Sequence, residues 1–223
     1  MVTQMNPKLF VVITRILVGS FLLAFCDVAA SPATPPPDDL PNQWAPSLKF
    51  MPAKSIRFGH LIISLEKTTL ASVIRSVGHG TLLHHGDASG SVYWVCYIRQ
   101  YRAENTIIWI QSGGEMGGAN HAITEVTARI ESKQNNINGC QKLSKNFGGI
   151  SLNDQIWVGS AASRAVQLFG TPSVRKLDWQ LFEYQGKTGK GCAPGGFDIS
   201  NWVSIKVKHD MITVIDAGQI TSC

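Results

Sequence analysis

Acidic side chains are scarce in this chain. Its 223 residues hold 15 Asp and Glu against 20 Lys and Arg, and charged residues make up 16%. No two carboxylates stand in an arrangement that suggests the paired acids of a glycosidase. A Gly-x-Ser-x-Gly elbow is missing, as is His-Glu-x2-His, so neither a serine-hydrolase nor a zincin framework is written into the chain. "GGEMGG" at 113–118 lacks the Gly-Lys-Ser/Thr of a phosphate loop and lies between strands rather than before a helix. It reads as a hairpin turn. The basic residues are scattered and no aromatic-basic motif accompanies them, which argues against nucleic acid as a partner. No catalytic residue, enzyme activity or cofactor is expected.

The main apolar run, Ile16 to Cys26, is too short for a bilayer core that needs about twenty residues. It follows Lys8 and Arg15 and precedes Val28-Ala29-Ala30, which is the three-part plan of a cleaved secretory signal peptide over residues 1–30. Leu23-Ala24-Phe25-Cys26 has the outline of a lipobox, but Phe25 stands where a lipoprotein peptidase takes a small residue. The expected product is periplasmic or secreted, with no transmembrane anchor. Four cysteines remain in it: Cys96, Cys140, Cys192 and Cys223. An even number in an oxidising compartment favours disulfides, and three pairings are open.

Residues 31–48, rich in proline, read as an extended linker, because proline cannot continue a helix and the run has little apolar content. A polar Asn- and Gly-bearing connector over 132–146 divides the rest into 49–131 and 147–223. Aligning Gly78 with Gly170 places Leu65-x2-Thr68-x4-Val73-Ile74-x2-Val77 over Trp157-x2-Ser160-x4-Ala165-Val166-x2-Phe169. Thr68 and Ser160 suit helix N-caps and the glycines suit left-handed C-terminal caps, so each segment predicts a short amphipathic helix of about ten residues. Strands follow at 91–98, 105–112 and 122–130, and again at 179–185, 201–208 and 211–220, rich in aromatic and β-branched residues. The expected fold is α+β: two tandem units, each with short helices packed on one face of a three- to four-stranded antiparallel sheet.

A capped short helix ending in "LFGTP", followed by "FEY" and two further strands, resembles the SmpA/OmlA family of small outer-membrane-assembly lipoproteins. Two such units in tandem resemble the secreted β-lactamase inhibitory proteins. The first unit reads "GHG" where the second reads "GTP". The resemblance implies a protein-binding or scaffolding role through the sheet and its loops, and supplies no catalytic residues. Repeat logic pairs Cys96 with Cys140 and Cys192 with Cys223. The rival bridge joins the connector to the "GKGCAPGG" loop.

The densest cluster of reactive side chains is "GHGTLLHHGDASG" at 78–90. His84, His85 and Asp87 are of the type that ligates Zn²⁺ or Cu²⁺, and a metal-assisted hydrolase centred on them is the alternative function. Against it, the glycines break any rigid framework and the spacing matches no known ligand signature, so the stretch reads first as a helix-to-strand loop with solvated histidines. Cys96, in phase with Trp94 on a strand, reads as a core or disulfide cysteine rather than a nucleophile. Tyr93 and Tyr97 lie on the strand face opposite Trp94 and Cys96. With Phe182 and Tyr184 they are expected to face solvent as interface anchors, since tyrosine buries large area with few rotors. The expected function is an exported, non-catalytic module that binds a protein or cell-envelope component. Its surface comprises these aromatics with His84, His85, Asp87, Glu115 and Met116 from the flanking loops.

Overall fold

A computed structural model describes residues 33–37, 48–101, 104–114, 120–132, 137–187 and 199–221, all within a single unit, Ser31–Cys223. Two short helices are present among them. In α1 (Leu70–Val77) the cap is Thr69 rather than Thr68: its backbone is extended and its Oγ1 accepts from the Ser72 amide at 3.2 Å. Thr68 is spent one turn earlier, accepting from the Ser64 amide at 2.9 Å. Gly78 closes the helix at φ 86°, a left-handed conformation that a side chain would strain. The second helix, α2 (Ser163–Phe169), has no side-chain cap. Ser160 lies outside it, closing a turn on Trp157 by donating to its carbonyl at 2.7 Å.

Strand formation dominates instead. β1 (Ile56–Phe58), β2 (Leu61–Ile63) and β8 (Ile150–Leu152) make a small sheet in the order β2-β1-β8. The large sheet contains β3 (Leu83–His85), β4 (Val92–Tyr101), β5 (Glu104–Gly113), β6 (Glu125–Ser132), β7 (Gln141–Lys142), β9 (Val174–Lys176), β10 (Trp179–Gly186), β11 (Ile199–Lys208) and β12 (Met211–Thr221). Its order is β3-β4-β5-β6-β12-β11-β10-β9, antiparallel along that path, with β7 added parallel to β4.

This overturns the α+β expectation of two helix-covered sheets. Among the described residues the fold is mainly β, 50% strand against 12% helix, and all the predicted long strands join one nine-stranded sheet. The joint is the antiparallel pairing of β6 with β12, from Val214 opposite Arg129 to Gly218 opposite Glu125. Left apart, β6 and β12 would each end a sheet with a row of unpaired N–H and C=O groups, and pairing satisfies both rows. No local pattern announces such a contact, because β6 and β12 are distant in sequence.

Nor is either sheet face open at the centre. Trp94, Val95, Cys96 and Tyr97 are consecutive and all buried, although strand geometry sends alternate residues to opposite faces. One face carries Val95, Tyr97, Ile108, Ile110, Phe182, Val203, Ile205 and Ile215, packed against Leu70 and Val73 of α1, Ala165 and Phe169 of α2, and Phe58 and Leu152 of the small sheet. Each such side chain withdrawn from water is worth roughly 1.5–3 kcal/mol. The other face clusters Trp94, Cys96, Ile107 and Trp109 with Ala33, Ile137 and Cys140.

Two stretches read as connectors are built into this second face. Thr34 donates its amide to the Asn138 carbonyl at 2.9 Å, and its own carbonyl accepts from Trp109 Nε1 at 3.4 Å. Cys140 is disulfide-bonded to Cys96 across a Cα–Cα distance of 4.5 Å, and β7 follows at once. Cys192 and Cys223 lie outside the described residues. Among the described residues no helix is long and apolar enough to cross a membrane.

Candidate functional site

At the β3 edge of the large sheet, cross-strand register sets His84 opposite Tyr93. The imidazole stacks on the phenol with ring centroids 4.2 Å apart and 25° between planes, and its Nε2 lies 2.8 Å from Ser91 Oγ. His121, entering from the turn before β6, packs tilted against the same phenol, with centroids 4.1 Å apart and 37° between planes. Tyr93 is thus packed against two imidazoles at once. His121 adopts φ 48°, and its carbonyl accepts the Leu70 amide that opens α1. Its Nδ1 is buried without a hydrogen-bond partner among the described residues. The rim is thus one rigid unit drawn from β3, β4, α1 and the turn before β6, with His84, His85, Asp87 and Leu82 exposed around it.

The remaining expected site residues divide sharply. Tyr97 and Phe182 have no exposed surface and are core residues, because the face expected to meet solvent is the one covered by α1, α2 and the small sheet. Tyr97 donates its hydroxyl to the His79 carbonyl at 2.9 Å, and burial pushes its phenol up to about 12. Tyr184 is half-buried at the far side of the sheet, its ring over Gly186. Adjacent strand residues project to opposite faces, so His84 and His85 diverge, and Asp87 does not join them. Among the described residues no three His, Cys, Asp or Glu side chains come together to hold a metal ion. Cys96 is oxidised in the disulfide and offers no thiolate. Glu115 and Met116 lie outside the described residues.

A second constellation sits at the β6–β12 joint. Glu125 and Asp216, two of the scarce carboxylates, meet there on the face that carries Trp109. Asp216 is wholly buried, accepting from Trp202 Nε1 at 2.8 Å on one oxygen and from Thr127 Oγ1 at 2.9 Å on the other. Gln111 Nε2 donates to both Glu125 Oε1 and Thr127 Oγ1, each at 3.2 Å. Glu125 hydrogen-bonds to Asp216, and its carboxyl is held well above the usual range by burial, then by the Asp216 charge and that hydrogen bond. Asp216 is raised too, by burial, against the donors that favour its charge. The two carboxyls titrate as one unit, and Glu125 is the member that burial and the Asp216 charge drive toward the protonated form.

Both acids had a visible sign: each interrupts a β-branched strand, Glu125 in "AITEVTARI" and Asp216 in "MITVIDAGQI". What was invisible was that they touch. The indole of Trp202 lies flat over Gly218, whose missing side chain leaves room for it next to the pair. The chain matches no protein-family model, and neither a curated protein nor a solved structure matches it.

Proposed function

We propose that the chain is an exported, non-catalytic interaction module that engages a protein or cell-envelope component through the β3–β4 rim. The observation that carries this reading is the His84–Tyr93–His121 stack. Three amphipathic rings are locked in place before any partner arrives, so little side-chain entropy is lost when they are covered. Around them Leu82 offers apolar surface, and His85 and Asp87 offer polar groups for a rim. The Cys96–Cys140 disulfide supports an oxidising compartment.

The test is affinity capture from an envelope extract on immobilised wild type, His84→Ala and Tyr93→Ala proteins, with Tyr184→Ala as a distant control. Loss of the same partner with both rim variants, and its retention by the control, supports the reading. Unchanged recovery by His84→Ala and Tyr93→Ala would remove the rim from the binding surface.

A further inference from the structure

A cleft of about 330 Å³ opens where the small sheet leans on the large one, farther along β4 than the rim and built mostly from other strands. Its floor is apolar, formed by Ala128 and Ile150, both buried. Its walls carry Arg57 from β1, Arg99 and Thr106 from β4 and β5, Ser151 from β8, and Trp157.

The charge in this cleft is unbalanced. Arg57 is neutralised in an ion pair with Asp154, whose carboxyl its guanidinium holds below the usual carboxylate range. Arg99 has no carboxylate partner among the described residues. A third guanidinium, that of Arg164, lies 5.0 Å over the ring of Trp157. The glycine loop before β8 explains how Arg99 stays at the wall: its guanidinium lies along Gly149, where an added Cβ would come within 3.0 Å of Nη1. Trp157 keeps 42% of its surface exposed, which is unusual for so large an apolar ring and leaves it available to cover an apolar ligand body.

We infer that this cleft is a binding site for a small organic carboxylate with an apolar or aryl body. The planar fork of Arg99 takes the carboxylate, supported by the Thr106 and Ser151 hydroxyls, while Trp157 and the Ala128–Ile150 floor take the body. Arginine is suited to this because its five donors match two carboxylate oxygens at once. A cleft of this volume, mostly apolar with a few convergent polar groups, is of the size and make-up that small-molecule sites have.

The test uses the full chain, titrated calorimetrically with 3-phenylpropionate and in parallel with the uncharged 3-phenylpropan-1-ol. The acid should bind saturably, and the alcohol at least about tenfold more weakly. Arg99→Gln, at an exposed position that keeps the fold, should weaken the acid by about tenfold or more, and Gly149→Ala should weaken it by displacing the guanidinium. No saturable binding of the acid, equal binding of acid and alcohol, or an Arg99→Gln protein that binds as wild type would each overturn the assignment. His84→Ala serves as the control that leaves this site untouched, so the outcome is independent of the rim.

Discussion

Replacing Glu125 with Gln should stabilise the protein, and the gain should grow with pH. The new side chain is nearly isosteric, and its Nε2 can donate to Asp216 as the protonated carboxyl does, while its oxygen still accepts from Gln111. The difference lies in the proton. Folded Glu125 and Asp216 both titrate above their unfolded values. A raised folded pKa means that the stabilising contribution is complete below the unfolded pKa, about 4.3 for Glu, and is lost as pH climbs through the folded one. Within that window the wild type loses up to about 1.4 kcal/mol per pH unit for each proton that folding retains. The amide of the Glu125→Gln protein has no such proton to lose, so its share of the slope disappears.

Every pH unit climbed inside that window widens the gap by up to about 1.4 kcal/mol, a sizeable part of a total stability of about 5–15 kcal/mol. Urea unfolding followed by tryptophan emission from about pH 4 to about pH 8 reads it directly. The two proteins should coincide at the acid end and separate steadily above it. Asp216→Asn is the counterpart: Asn offers one oxygen where Trp202 and Thr127 donate to two, so it should lose about 1–3 kcal/mol. A difference between wild type and Glu125→Gln that is flat in pH would refute the shared proton. Equal destabilisation by the two substitutions would refute it as well.

Three further outcomes follow from the same structure. Converting Cys96 and Cys140 together to Ser opens a loop with a sequence separation of 44, which in the chain-entropy model costs about 4 kcal/mol. Calorimetry should show Tm falling by about 8–16 °C, and an unchanged Tm would mean that the bridge constrains nothing. Gly218→Ala drives a methyl into the Trp202 ring and should cost about 1–3 kcal/mol while altering near-ultraviolet circular dichroism; a silent substitution would show that the indole does not lie there. Among the four tyrosines, Tyr97 should resist ionisation until about 12 in a spectrophotometric titration. Its stabilising share should hold below about 10 and vanish as pH rises through about 12, whereas four tyrosines titrating together would place it at the surface.

Much of the local structure was legible. The aromatic and β-branched runs at 91–98, 105–112, 179–185, 201–208 and 211–220 are β4, β5, β10, β11 and β12, each within a few residues of its expected ends. Gly78 ends α1, because a left-handed terminal residue is a local demand that glycine meets. The Cys96–Cys140 pairing also stands. What failed was everything that depends on which strand lies beside which. Tyr97 and Phe182 follow the period-2 pattern of a half-exposed sheet, and the pattern places them correctly on one face. It could not say that helices and a second sheet cover that face. Trp157 departs in the opposite direction: its alignment with Leu65 sets it among the apolar positions of an amphipathic helix, but the turn closed by Ser160 leaves it exposed ahead of α2. The ring cluster on Tyr93 was half visible: His84 lies in the histidine-rich stretch beside it in sequence, whereas His121 reaches it only through the fold.

The acid pair shows why the joint, rather than the meanders on either side, carries the information the sequence conceals. A β-strand slipped by one residue turns its whole set of side chains over. At β6–β12 that slip would send Asp216 among Val203, Ile205 and the helices, and would bring Ile215 and Ala217 against Thr127 and Gln111. Moving an ionised carboxylate into such a core without partners costs several kcal/mol even after relaxation. In the native register the same carboxylate has two donors and a shared proton. Its contribution to the correct pairing is modest, because burial offsets much of what the donors supply. Its penalty on the wrong pairing is large. With few carboxyl groups in the chain, placing two of them together at the seam around a shared proton fixes the alignment of two otherwise interchangeable apolar edges, and it does so through a contact between residues 125 and 216 that exists only once the sheet has closed.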